Sequence, residues 1–257
     1  MILNIILNHL KKLIGLKMSK LGNESFFRHE LKYFISYGEY LCLRNKIKLL
    51  MKNDTNSLID GSYHIRSLYF DDIYDSSLFE KQSGILNRKK YRIRVYNLSS
   101  DVIKLEKKSK IGQFINKQSI SLSIEQVKKI MNYDYKFLLN KDNSLATEFY
   151  HDLQNKIYRP KVIVDYIREA YTLNINRIRI TFDKFLKNGL YNLDLFNNKM
   201  PLISSIDENL YILEVKFTNY LPSYLKSILQ IQTSSNQAIS KYVFSRKMTK
   251  IMSWEDQ

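Results

Sequence analysis

Three strand-like runs, residues 88–97, 101–109 and 113–121, follow one another with three residues between each pair. Two parallel strands need a crossover of about a dozen residues or more, so these runs can only form an antiparallel meander. Side chains at i and i+2 of a strand project to the same face. In the first run that rule puts Lys90, Arg92 and Arg94 on one side and Tyr91, Ile93 and Val95 on the other. One half of the fold is thus constrained to an antiparallel sheet with an apolar face and a charged face.

The same alternation recurs along the chain. Runs rich in β-branched and aromatic residues at 26–36, 62–70, 158–173, 176–187 and 208–217 read as further strands. Apolar residues spaced three or four apart predict helices near 37–52, 75–82, 123–131, 143–157, 221–231 and 237–250, with Ser123, Glu125 and Gln126 resembling a helix start. The 7 Gly and 3 Pro are scattered and mark no linker, which predicts one α+β domain over residues 26–250. Spacing aligns Arg28, Glu30 and Lys32; Lys104, Glu106 and Lys108; Lys117 with Ser119 and Ser121; Tyr166 with Arg168; Arg177, Arg179 and Asp183 with Thr181; and Glu214 with Lys216.

A half-buried sheet whose charged face meets water explains any one strand alone. The set also suits a sheet closed into a barrel with its charges inward, filled by water and an anion. Arginine forks at Arg92, Arg94, Arg168 and Arg179 match phosphate oxygens. A formal charge of +16 draws in anions, and leaves nucleic acid, an anionic membrane surface and phosphorylated molecules as partners. Glu30, Glu106, Asp183 and Glu214 either neutralise neighbouring cations or hold a hard divalent metal. Aromatic residues mostly alternate with the charges, which favours core packing over base stacking and argues against nucleic acid. His29, His64 and the lone Cys42 read as structural, Cys42 as a core residue with no disulfide or cysteine zinc site to join. Residues 1–25 read as an N-terminal extension, helical or an artefact of start-site choice because Met18 can itself initiate. A helix over 1–16 is too short to span a bilayer but has one apolar face for a membrane surface or a partner, and a cytoplasmic protein is the default expectation.

The ordered segments Arg28-His29-Glu30-Leu31-Lys32-Tyr33, Ser67-Leu68-Tyr69-Phe70-Asp71, Tyr91-Arg92-Ile93-Arg94-Val95-Tyr96, Leu105-Glu106-Lys107-Lys108, Tyr166-Ile167-Arg168-Glu169-Ala170-Tyr171, Arg179-Ile180-Thr181-Phe182-Asp183, Leu213-Glu214-Val215-Lys216-Phe217 and Ser240-Lys241-Tyr242 resemble the VTC polyphosphate polymerase domain. That resemblance implies a triphosphate tunnel, a closed antiparallel β-barrel with flanking helices. It also implies transfer of the γ-phosphate of ATP to inorganic polyphosphate with release of ADP. Carried over by motif, Lys32, Arg92, Arg94, Lys108, Lys117 and Arg168 are phosphate ligands, with Tyr166 and Ser240 supporting them, and Arg179 and Lys216, on the same charged faces, are expected to bind phosphate or ATP with them. Glu214, with Glu30 as a second donor, is the implied ligand for Mn2+ or Mg2+, and Lys241 the implied catalytic lysine. Hydrolases and cyclases of the wider group begin with Glu-x-Glu-x-Lys, whereas Arg28 stands first here, which removes a carboxylate and favours the polymerase branch. A tripolyphosphatase or nucleoside triphosphatase of the same fold, and a polyanion-binding module without catalysis, are the competing expectations.

Overall fold

The computed structural model describes residues 28–112, 114–229 and 238–251. In chain order the elements are β1 (Arg28–Ser36), α1 (Tyr37–Lys48), β2 (Lys52–Asn53), β3 (Ser62–Asp71), α2 (Ser76–Gln82), β4 (Arg88–Tyr96), β5 (Ser99–Ile111), β6 (Phe114–Leu122), α3 (Ile124–Met131), α4 (Ser144–Asn155), β7 (Arg159–Leu173), β8 (Ile178–Asn188), β9 (Ile203–Ser204), β10 (Leu210–Thr218), α5 (Ser223–Ile228) and α6 (Lys241–Ile251). Each of the eight expected strands and six expected helices in this region is present. The two-residue strands β2 and β9 carry too little pattern to be read from sequence. Capping boxes start α1 (Ser36 with Glu39) and α3 (Ser123 with Gln126), where side chain and backbone satisfy each other's unpaired donors. Asn97 and Leu98, both at positive φ, make the two-residue turn between β4 and β5 that closes the first hairpin of the meander.

The strands form one antiparallel sheet in the order β1-β10-β8-β7-β3-β4-β5-β6, with β2 added beside β7 and β9 beside β8. The end strands β1 and β6 do not pair, so the expected closed barrel is not closed by hydrogen bonds. Yet β1 and β5 lie six places apart, about 29 Å in a flat sheet at ~4.8 Å per strand, and Lys108 Nζ on β5 is 3.1 Å from Glu30 Oε2 on β1. The sheet therefore curls until long side chains span the gap that backbone groups leave open.

Three apolar cores hold this shape. Helices α3 and α4 cover the outer face of the meander, where Val127, Ile130, Leu145 and Phe149 pack on Leu68, Tyr91, Ile93 and Leu105. Helices α1 and α5 cover the outer face of the other half through Tyr40, Leu43, Ile47 and Leu225 against Ile180, Phe182, Leu213 and Val215. The third core lies on the inner face: Tyr242, with Ile239 just before α6, is buried among Tyr69, Val162, Val164, Tyr166 and Ile212. So α6 occupies the concave side, where the sequence reading expected only charge. Cys42 is exposed on α1, contrary to the core position expected, because the buried face of that helix runs through Tyr40, Leu43 and Ile47. No helix among the described residues is long and apolar enough to cross a membrane. The expected N-terminal helix lies outside the described residues.

Candidate active site

Strand register aligns the charged faces in rows across the sheet. Glu30 lies opposite Lys216, which lies opposite Arg179; Lys32 lies opposite Glu214, which lies opposite Thr181. Asp183 faces Arg168, and Arg168 faces Tyr63. On the other half Tyr69 faces Arg92 and Ser67 faces Arg94, while Lys90 faces Lys108 and Arg92 faces Glu106. Lys108 in turn faces Lys117. All of these side chains share the concave face, so the charges point inward.

There they form two clusters of ion pairs. Glu30 pairs with Lys32 at 3.0 Å, Lys108 at 3.1 Å and Lys216 at 3.7 Å. Lys216 also pairs with Glu214, whose other oxygen is 3.6 Å from Arg168 Nη2. Arg168 grips Asp183 through Nε (2.6 Å) and Nη2 (2.7 Å) in a bidentate pair, and Lys241 reaches Asp183 from the first turn of α6. A second cluster centres on Glu106, held by Arg92 Nε at 2.7 Å and Lys117 Nζ at 2.5 Å, with Arg94 Nη1 at 3.9 Å. Hydroxyl groups complete it: Arg92 donates to Tyr69, and Arg94 to Ser67 and Tyr166.

Titration follows from this packing. Burial opposes the negative charge of Asp183, but Arg168 and Lys241 outweigh it and bring its pKa down to about 2. Glu106 and Glu214 lie below the usual carboxylate range for the same reason, Arg92 and Lys216 respectively being the strongest opposing charges to burial. Burial lowers Lys216 to about 8 although Glu214 and Glu30 support its charge. Lys32 is raised, because Glu214 and Glu30 overcome its burial.

The arrangement brings together Lys32, Arg92, Arg94, Lys108, Lys117, Arg168, Lys216, Lys241, Glu30 and Glu214 from the sequence reading. Ser240 joins them, its Oγ 3.2 Å from Lys90 Nζ, and Tyr166 lies under both Arg168 and Lys241, 5.4 and 4.9 Å from its ring centre. Arg179 shares the face but turns its fork to Asp54 (2.7 Å) and the Tyr63 hydroxyl (2.9 Å), away from the network. Lys90, aligned on the charged face in the sequence but given no role, sits inside. Asp183, read only as a carboxylate of that face, is the anchor of Arg168 and Lys241. Tyr63, Tyr69 and Tyr166 also lie on the charged face, against the expectation that aromatics mostly avoid it; their rings are buried and not offered for stacking. His64 binds Asp165 at 2.6 Å, outside this face, and His29 stacks on Phe217, in keeping with structural roles.

A hard divalent ion finds compatible donors beside Glu214. Glu30 and Glu214 offer carboxylate oxygens, and Thr181, the cross-strand neighbour of Glu214, has a buried hydroxyl without a hydrogen-bond partner among the described residues. No group of three His, Cys, Asp or Glu side chains among the described residues makes an all-protein cage. That donor set fits Mg2+ or Mn2+ completed by phosphate oxygens and water, the usual habit of such ions at phosphate sites.

Residues 27–250 match the model of the VTC domain family. No curated protein matches the chain. Among solved structures, HpAC1 from Hippeastrum, proposed as an adenylyl cyclase and found with a dominant triphosphatase activity, superposes with a TM-score of 0.52 at 12% identity over 85% of this chain and 95% of that one. A protein from Bacillus halodurans proposed as an adenylate cyclase superposes with a TM-score of 0.49 at 12% identity, over 91% of this chain and all of the other. The likeness to HpAC1 is one of fold.

Proposed function

The chain belongs to the VTC domain family, and on that premise we propose that it transfers the γ-phosphate of ATP to the end of an inorganic polyphosphate chain, releasing ADP. The observation that carries this reading is the inward network, in which Lys32, Lys108, Lys216, Arg168 and Lys241 are joined through Glu30, Glu214 and Asp183. Donor and acceptor are both polyanions, and a single pair of unit charges ~4 Å apart repels by about 4 kcal/mol at an effective dielectric near 20. Opposing that repulsion while holding the two phosphates in line is most of what this transfer asks of a protein.

Arg92, Arg94 and Arg168 supply the planar forks that bind and orient phosphate oxygens, and Lys32, Lys108 and Lys117 line the same path. Bond formation joins a terminal oxygen of the acceptor to the γ-phosphorus as the bond to the β,γ-bridging oxygen breaks. In this reading Lys241 stabilises charge on the transferring group or the leaving oxygen. The acceptor's terminal phosphate is already largely ionised near neutral pH, so no histidine base is required, in accord with the structural places of His29 and His64. Glu214 and Glu30 would hold Mg2+ or Mn2+, which when bound neutralises charge on phosphate oxygens.

Hydrolysis of triphosphates is the second reading, favoured by the shared fold with HpAC1. The shortage of carboxylate ligands beside Glu214 supports transfer over a two-metal hydrolase. Purified protein incubated with ATP and Mn2+ or Mg2+ decides between them: long polyphosphate on a gel together with ADP supports synthesis, and free phosphate without polymer means hydrolysis.

A further inference from the structure

Lys90 has no part in the assignments above, yet its side chain points from β4 into the concave face, opposite Lys108. Its Nζ is 3.2 Å from Ser240 Oγ and 5.2 Å from the centre of the Tyr242 ring. Lys32, Lys108, Lys117, Lys216 and Lys241 each pair with a carboxylate. Among the described residues Lys90 pairs with none. The charges that act on it most strongly are positive: Lys81 from α2, Lys108 from β5, Lys32 from β1 and Arg88 from its own strand, while Ser240 and Tyr242 face it from the α6 segment. Glu30, the acid that pairs with its cross-strand neighbour Lys108, is also bound to Lys32, and the Tyr242 hydroxyl is turned to Asp71.

We propose that Lys90 is a further phosphate-chain ligand, beside Ser240 and Lys241, whose ammonium forms as the chain enters, so that binding takes up a proton at this residue. Burial and then the four neighbouring cations push its pKa down to about 7, so near pH 8 the empty site holds mostly the neutral amine. An arriving phosphate oxygen supplies the missing counter-charge. One proton then passes from solvent to Nζ, and the new ammonium donates to phosphate. Below about pH 6 the ammonium already exists and the uptake disappears. The other lysines exchange a carboxylate for phosphate on binding, whereas Lys90 gains an anion without giving one up.

The inference rests on the reading that this face binds chains of phosphate. Calorimetric titration of the full chain with tripolyphosphate, without ATP, at pH 8 in two buffers of different ionisation enthalpy counts the protons taken up. Lys216 and the ligand's own phosphates contribute alike to wild type, Lys90→Arg and Lys90→Met, so the difference between proteins belongs to Lys90. Wild type is expected to take up more protons than either variant, with Lys90→Arg binding near wild-type strength. At pH 6, where wild-type Lys90 is charged, Lys90→Met is expected to bind about tenfold more weakly or worse, the loss of one charge-assisted hydrogen bond. Equal proton uptake in wild type and Lys90→Arg, or wild-type affinity in Lys90→Met at pH 6, overturns the role of Lys90 alone. No binding of tripolyphosphate by wild type overturns the phosphate reading and this inference together.

Discussion

Replacing Glu106 by Gln separates a carboxylate that organises phosphate ligands from one that only stabilises the fold. Its side chain is 3% exposed and meets Arg92 and Lys117 directly, with Arg94 nearby. Breaking a buried ion pair from one side costs about 3–5 kcal/mol. Glutamine keeps an acceptor for one donor, and Lys117, 52% exposed, returns to water; these reduce the expected loss to about 2–3 kcal/mol. At roughly 2–4 °C per kcal/mol for a domain of this size, the ligand-free Tm falls by about 5–10 °C. Arg92, Arg94 and Lys117 then lack the negative charge of Glu106, which phosphate can supply without displacing a carboxylate, so tripolyphosphate should bind about tenfold more tightly, worth ~1.4 kcal/mol. At a ligand concentration 100 times the wild-type Kd, wild type gains about 2.7 kcal/mol and Glu106→Gln about 4.1. Thermal unfolding with and without tripolyphosphate reads this directly: the stability gap should shrink by about half on adding ligand. A gap that stays constant refutes the idea that Glu106 holds the place of a phosphate.

Lys241→Ala and Glu214→Ala are each expected to abolish polymer synthesis with folding retained, measured by polyphosphate on gels beside circular dichroism; unchanged rates contradict their roles. In acid, the depressed Asp183, Glu106 and Glu214 contribute stability that is complete above the ordinary carboxylate range near 4 and lost as pH falls toward 2; denaturant midpoints that stay flat from pH 5 to 2 would contradict the network. In base, folded Lys90 and Lys216 release protons near 7 and 8 that the unfolded chain keeps until about 10.4, so they make ligand-free stability rise with pH across that window. Lys90→Met should flatten the lower part of that rise. Tyr242→Phe removes the 2.5 Å bond to buried Asp71 that fastens α6 to β3 and should cost about 1–2 kcal/mol in chemical denaturation, while Asp71 keeps its bonds from Ser77 and Leu78.

Strand parity made the charged faces legible because it depends only on the two-residue repeat of a strand, and each row in the register bears it out, from Glu30 and Lys216 to Lys108 and Lys117. Direction was not legible. Whether Arg92 points to water or inward depends on how the sheet curls, a property of all strands together. The resemblance supplied that direction, but it overstated closure: the gap between the sheet's ends is bridged by Lys108 and Glu30 instead of a backbone ladder. Nor does spacing tell that α6 packs inside, since its buried face through Tyr242 and Ser245 looks the same whether it meets the outer or the inner side of the sheet. Cys42 shows the limit of periodicity in a helix, where a shift of one position moves a residue from core to surface.

Ion pairs outside and inside the sheet differ in what they join. Outside, Glu169 receives Tyr40, Arg44 and Tyr171, and Glu148 receives Lys89, Lys107 and Tyr91, bonds that fasten α1 and α4 to the strands. Asp152 on the same helix adds to the second set, pairing with Lys89 and accepting from Tyr91. Inside, Glu106, Asp183 and Glu214 are buried, whereas Lys108 is 46% and Lys117 52% exposed. A long cation can swing from a fixed carboxylate to an incoming phosphate while that carboxylate stays where the fold holds it. Like charges that would otherwise force the strands apart are thus balanced in the empty protein, and the balance passes to phosphate on binding. The cost of that exchange falls on every lysine with a carboxylate partner and spares Lys90, so its contribution should be the one most sensitive to pH and the others most sensitive to removal of their acids.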